Sequence, residues 1–214
     1  MDIQSGETFR CKGTADLRNA EAIRLPDGGL ERRSLEQEEL VEFPLRLTEA
    51  KVHDDVDTVL PETATGTDDL AMIEGTFGTD GVTIQSADGK AKTVTQRCRW
   101  PEVRLPESYD AAQTLRIRVR AGMITTISDG TATVDIECHK QDKDGAVGAD
   151  LCATAAQSMN SLTKADIDFT ITATGLQAGD VLDIRATIAI TDTATGTAVI
   201  GEISRVSLAC DIKG

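Results

Sequence analysis

The side chains here with types suited to chemistry are two histidines, five cysteines and a surplus of carboxylates. His53 precedes Asp54, Asp55 and Asp57, a neighbourhood that raises the question of a metal. Zinc and iron sites take ligands converging from spaced positions, such as H-x-x-x-H or two cysteine pairs. One histidine beside an acidic run gives no such convergence, so the run is read as a solvated loop. His139 follows Cys138, the residue types of a nucleophile and its base. Adjacent strand residues point to opposite faces, so Cys138 is expected in the core and His139 outside, where the pair cannot meet. Asp142-Lys143-Asp144-Gly145 has the start of a calcium loop, but Ala146-Val147-Gly148 follow where further ligands are needed. A loop cation, with Asp150 contributing, and an ordinary acidic turn both stay open there. Asp180 and Asp183 flank a strand start, and no spacing brings either to a second acid as a glycosidase pair. G-x-S-x-G, a phosphate loop and a dinucleotide fingerprint are all missing. No catalytic, cofactor-binding or metal-ligating residue is assigned, and the chain is expected not to be an enzyme.

The arginines are more suggestive. Arg97 and Arg99 share one strand face, Arg116, Arg118 and Arg120 share another, and Arg104 lies between. On a chain of formal net charge −14, such a stripe suits an acidic partner or a neighbouring subunit. The other reading is cross-strand pairing with carboxylates on the same sheet face, Asp135 and Glu137 for example.

The elements that must position these residues are strands. In Leu115-Arg116-Ile117-Arg118-Val119-Arg120-Ala121 the aliphatics fall on one face and the arginines on the other. The same period of two runs through Ala132 to Cys138, Ile167 to Ala173 and Leu182 to Ile190, each a half-buried strand. Weaker strands are expected at Leu70 to Ile73, Val82 to Gln85, Val94 to Trp100 and Val206 to Ile212. Asp80-Gly81, Asp88-Gly89, Asp129-Gly130, Asp144-Gly145, Gly179-Asp180 and Thr195-Gly196 supply turns between them. The expected fold is all-β, a jelly-roll β-sandwich of about eight to ten antiparallel strands over residues 44–214. Residues 1–43, charged and without sustained alternation, are expected to form an irregular N-terminal arm or a terminus without a role. Ser34 and Gln37 form a possible capping box for a short helix from Leu35 to Val41, ending before Phe43-Pro44. Residues 153–162 are expected as a turn of helix or a long loop. Thr63-Ala64-Thr65-Gly66-Thr67 recurs at 193–197 with nothing matching around it, which marks two similar loops at most.

Composition narrows the function classes. Aromatics are 3 % of the chain, too few for the ring platforms of sugar or single-strand nucleic-acid binding. Trp100 and Tyr109 are the large candidates for such a platform, with Trp100 expected to pack inward and Tyr109 to sit in a loop. The negative charge disfavours phosphate backbones. Five cysteines, Cys11, Cys98, Cys138, Cys152 and Cys210, include no C-x-x-C and suit buried reduced thiols. Residues 1–7 lack a signal-peptide pattern, and no apolar run approaches the ~20 residues of a membrane span. Synthesis in a reducing cytosol is expected, with neither nucleic acid nor membrane as partner.

Several strings from about residue 44 onward carry a family resemblance. They are Leu60-Pro61-Glu62-Thr63-Ala64 with Asp68-Asp69-Leu70, Gly75-Thr76-Phe77-Gly78-Thr79 and Leu105-Pro106-Glu107-Ser108-Tyr109. Asp129-Gly130-Thr131-Ala132-Thr133-Val134-Asp135, Gly179-Asp180-Val181-Leu182-Asp183-Ile184-Arg185 and Cys210-Asp211-Ile212-Lys213-Gly214 complete the set. With these the chain resembles jelly-roll virion structural proteins of tailed bacteriophages, of the capsid cement or head-decoration type. The resemblance implies a place on the capsid surface of the virion. It also implies a homotrimer that bridges capsomers, with the major capsid protein as partner and no ligand residues to carry over. A tail, baseplate or fibre component, and a carbohydrate-binding β-sandwich module, are the rival expectations.

Overall fold

Alternating aliphatic side chains can be buried only if a second layer covers them, and here two sheets cover each other. The computed structural model describes residues 39–64, 67–142, 146–193 and 196–213. Among the described residues eleven strands follow in order: β1 Glu39–Leu45, β2 Ala71–Ile73, β3 Thr83–Gln85, β4 Thr93–Arg104, β5 Leu115–Met123 and β6 Gly130–Gln141. Then come β7 Val147–Asp150, β8 Gln157–Ser158, β9 Ala165–Thr170, β10 Val181–Asp192 and β11 Gly201–Ile212. One sheet runs β2-β3-β11-β5-β9 with β1 also on β11; the other runs β4-β10-β6-β7 with β8 on β6. Each of these ladders is antiparallel. The chain crosses between sheets at β3–β4, β4–β5, β5–β6, β8–β9, β9–β10 and β10–β11, so hydrogen-bonded neighbours are mostly distant in sequence. This is the jelly-roll β-sandwich that the alternation predicts.

The four strongly alternating segments became β5, β6, β9 and β10. Their inward residues, Ile117, Val119, Val134, Ile136, Phe169, Ile184, Ala186 and Ile188 among them, share one core with Val206 and Leu208 of β11. A core of small aliphatics suits the pleated interior of packed sheets.

Two expectations at the N-terminal side need correction. The helix from Leu35 to Val41 lies outside the described residues up to position 38, and from Glu39 onward the chain is strand β1, registered from Glu39↔Ile212 to Leu45↔Val206. Residues 39–43 therefore belong to the sandwich and not to an arm ending at 43. Val41, Phe43 and Leu45 alternate as half-buried residues with exposed Leu40, Glu42 and Pro44, a period of two that outweighs the capping pattern. Pro44 is tolerated because β1 pairs on one side only, and an edge strand can spare an N–H. Residues 153–162 are loop apart from β8, laced down by Ala153 N–H to Thr170 O and Met159 N–H to Ala132 O, both 2.9 Å.

β4 carries a bulge. Trp100 pairs with Ile184 and Val103 with Leu182, so Pro101 and Glu102 stand against Asp183 alone. Pro101 has no N–H for the ladder, and Glu102 adopts φ +60°. Both features fit a bulge better than a continuous strand.

Candidate functional site

The arginine row is built by β5 and its two neighbours. Arg116, Arg118 and Arg120 lie opposite Thr170, Asp168 and Asp166 of β9, and opposite Ala209, Ser207 and Arg205 of β11. Arg118 grips Asp168 with two bonds, Nε to Oδ1 at 2.6 Å and Nη2 to Oδ2 at 2.9 Å, and its Nη1 meets Glu42 of β1. Arg116 Nη1 reaches Asp168 at 3.5 Å. Asp166 takes Arg120 at 3.4 Å and Arg205 at 3.0 Å. On the other sheet Arg99 pairs with Asp183 and Arg185 with Glu137, while Arg104 pairs locally with Glu107 at 2.8 Å. The Arg118 hydrogen bonds hold the Asp168 carboxyl below the usual carboxylate range, and the same contact raises the Arg118 guanidinium. The cross-strand reading therefore describes the row: a ladder of ion pairs within each sheet. The backbone of Arg97 bridges to Asp69.

His53 does not join the acids beside it. Asp54, Asp55 and Asp57 are exposed, and Asp55 accepts from Thr58 Oγ1 at 2.7 Å and Asp57 N–H at 3.1 Å. These bonds lower the Asp55 carboxyl, the one from the Thr58 hydroxyl most. The ring turns instead to a segment sixteen residues away, with Nδ1 3.2 Å from Asp69 Oδ1 and Nε2 3.3 Å from Asp68 Oδ2. The two segments are hung on the outer edge of β4. Lys51 N–H bonds Arg99 O at 2.8 Å, and Arg97 N–H bonds Asp68 O at 2.8 Å. The side chain of His53 is only 12 % exposed. Sequence reasoning missed this grouping because Asp68 and Asp69 reach His53 only when both segments pair with β4.

The remaining candidates resolve into structure. Cys138 is buried and His139 half-exposed, with the imidazole Nδ1 3.0 Å from Gly148 O. Asp150 Oδ1 accepts the N–H groups of Cys138 and Cys152, both at 2.9 Å. Residues 143–145 lie outside the described residues; of the candidate cation ligands, Asp142 is exposed and Asp150 is turned to the two backbone N–H groups. Asp180 pairs with Lys140 at 2.7 Å and accepts Gln177 N–H at 2.8 Å. Cys98, Cys138 and Cys210 are buried free thiols and Cys152 is half-buried; Cys11 lies outside the described residues. Burial pushes the Cys138 thiol up to about 12 and the Cys210 thiol up to about 11.

The rings divide sharply by exposure. Trp100 is 2 % exposed and Tyr109 1 %; Tyr109 sits in the loop between β4 and β5, as expected, with its ring in the core. Trp100 Nε1 donates to Arg46 O at 3.0 Å and Tyr109 Oη to Gln113 O at 3.2 Å, which satisfies their polar atoms inside. Beside Trp100 a cleft of about 400 Å³ is lined by Phe43, Leu45, Pro101, Glu102, Arg104 and Leu208 among others. Phe77, by contrast, is fully exposed. It stands in a turn closed by Thr79 N–H and Asp80 N–H to Thr76 O, both 2.9 Å, with Gly78 at φ +82°. A Cβ on Gly75 would lie 2.0 Å from Asp80 O, so only glycine lets this loop close beneath the ring. The Gly75-to-Thr79 string is legible in the sequence, but its apolar residue gives no hint of facing water.

No family model and no curated protein matches the chain. Solved structures with a similar arrangement include a xylan-binding domain, CBM22-1 of Paenibacillus barcinonensis Xyn10C, at 9 % identity and TM-score 0.39, covering 84 % of this chain and 98 % of that one. The xylan-binding module CBM15 is 15 % identical at TM-score 0.42, over 82 % of this chain and 100 % of its own. A structure of infectious bursal disease virus, Gt strain, is 17 % identical at TM-score 0.38, over 64 % of this chain and 30 % of that one. Carbohydrate-binding modules and a virus thus both stand among its neighbours, and at these values neither gives this chain a ligand or a residue role.

Proposed function

We propose that the chain is a non-catalytic assembly protein of a virion, a capsid cement that associates as a homotrimer and bridges capsomers on the phage head. The observation that carries this reading is Phe77, a fully exposed ring on a hydrogen-bonded turn. A large aromatic side chain left in water is available as an anchor for a protein contact. The charged outer faces support the same role, since the arginines of the ladder are engaged within their own sheets, leaving loop ends to meet partners. The family resemblance supplies the virion and the capsid protein as partner; a tail or fibre position uses the same surfaces, and location in the particle separates the two.

The test is the mass in solution by light scattering over a range of concentrations. A species of three times the 22.8 kDa chain is expected. Phe77→Ser is expected to raise its dissociation constant at least about tenfold while moving stability by no more than about 0.5 kcal/mol. A wild type that stays monomeric at every concentration, alone and with capsids, defeats the proposal.

The cleft beside Trp100 favours one other reading, a carbohydrate-binding sandwich. A mixed lining that includes Phe43, Leu45 and Leu208 with Glu102 and Arg104 offers both apolar and polar contacts to a sugar ring. Against it, Trp100 at 2 % exposure offers no face for stacking. Saturable binding in a soluble glycan panel, lost on Glu102→Ala, would promote this reading over the first.

A further inference from the structure

We propose that His53 and Asp68 form a binding site for a zinc-class divalent cation, with Asp69 orienting the imidazole. This inference stands apart from the assembly role above. A neutral imidazole has one N–H and one lone pair. With Nδ1–H directed at Asp69 Oδ1, 3.2 Å away, the Nε2 lone pair faces Asp68 Oδ2 at 3.3 Å. Two acceptors then confront each other beside a side chain that is 12 % exposed, and a cation between them removes the conflict.

A metal ion is such a cation, and the separation of the two atoms fits one. Two ligands about 2.0–2.1 Å from a tetrahedral ion stand about 3.3–3.4 Å apart, which matches the separation of Nε2 and Oδ2. One ligand atom from each of His53, Asp68 and Asp69 lies within 4.8 Å of the others. Asp69 on the far nitrogen gives the carboxylate–histidine–metal arrangement that fixes tautomer and ring orientation. The donor set, one imidazole nitrogen with carboxylate oxygen, suits zinc and its first-row neighbours; calcium prefers six or more oxygens. Asp68, 56 % exposed, leaves the remaining positions to water. The backbone bridges of Lys51 to Arg99 and Asp69 to Arg97 hold the ligand-bearing segments at this separation, so binding needs little rearrangement. An ion there would pin both segments together along the outer edge of β4.

The experiment is calorimetric titration of chelator-treated full-length protein with zinc chloride, compared with Asp68→Asn and His53→Gln, each checked for a native circular dichroism spectrum. One saturable site is expected, with affinity reduced at least about tenfold in each folded variant and no competition from calcium chloride. Absence of saturable binding in the wild type would overturn the site. Unchanged affinity in Asp68→Asn would place the metal elsewhere on the acidic surface and overturn it equally. Asp68 is exposed, so that variant remains a fair test if His53→Gln does not fold.

Discussion

Asp168 is the carboxylate on which two arginines of β5 converge, and its environment makes a pH prediction. The Arg118 bonds hold its pKa below the ordinary value, so its contribution to stability is fully present above the unfolded value of about 3.9. It is lost as pH falls through the lower folded value. Asp168→Asn is expected to cost about 1–2 kcal/mol near neutral pH, measured by urea unfolding. The gap between variant and wild type should close as the wild-type carboxyl protonates. A gap that persists unchanged into strong acid would show that the pair contributes through packing alone. The alternation of Arg116, Arg118 and Arg120 is visible in the sequence. Their partner is not, because Asp168 lies fifty residues from Arg118 and meets it only through the β5–β9 register.

At the scale of elements, β1 is the segment whose assignment changed. Ser34, Gln37 and the apolar residues after them fit a helix start, yet the chain beyond Glu39 follows β11 through seven paired residues. Deleting residues 1–38 leaves each of these pairs in place and is expected to move the unfolding temperature little. Deleting through Leu45 removes the half-buried Val41, Phe43 and Leu45, takes Glu42 from Arg118 and bares the β11 edge. A loss of about 3–5 kcal/mol corresponds to roughly 10 °C in a domain of this size, with aggregation through the open edge. Thermal scans of both truncations decide the point. Equal unfolding temperatures would mean that β1 is a removable flap and not part of the sandwich.

At the scale of the whole molecule, charge opposes the proposed assembly and the apolar contact proposed at Phe77 would favour it. Each copy carries a formal −14, so copies repel at low salt. The pairs made by the ladder arginines are internal, and an inter-copy contact centred on Phe77 gains nothing from salt-sensitive bridges. Association is therefore expected to tighten as salt is raised from about 0.05 to about 0.5 M, because screening shortens to a few ångströms. Sedimentation equilibrium at both salts measures it. Weakening with salt would mean that ladder arginines exchange carboxylates between copies.

The sequence by itself determined the class of fold and the face of each main strand, because a period of two against a hydrophobic core is local information. It also determined that Cys138 and His139 look in opposite directions, for the same reason. Tertiary structure alone decided which charges pair, that His53 meets Asp68 and Asp69, that Tyr109 is buried, and that Glu39–Leu45 is a strand. Each of these depends on cross-strand register or on segments closing over an edge. Register joins residues tens of positions apart, and no local pattern of side chains encodes that distance.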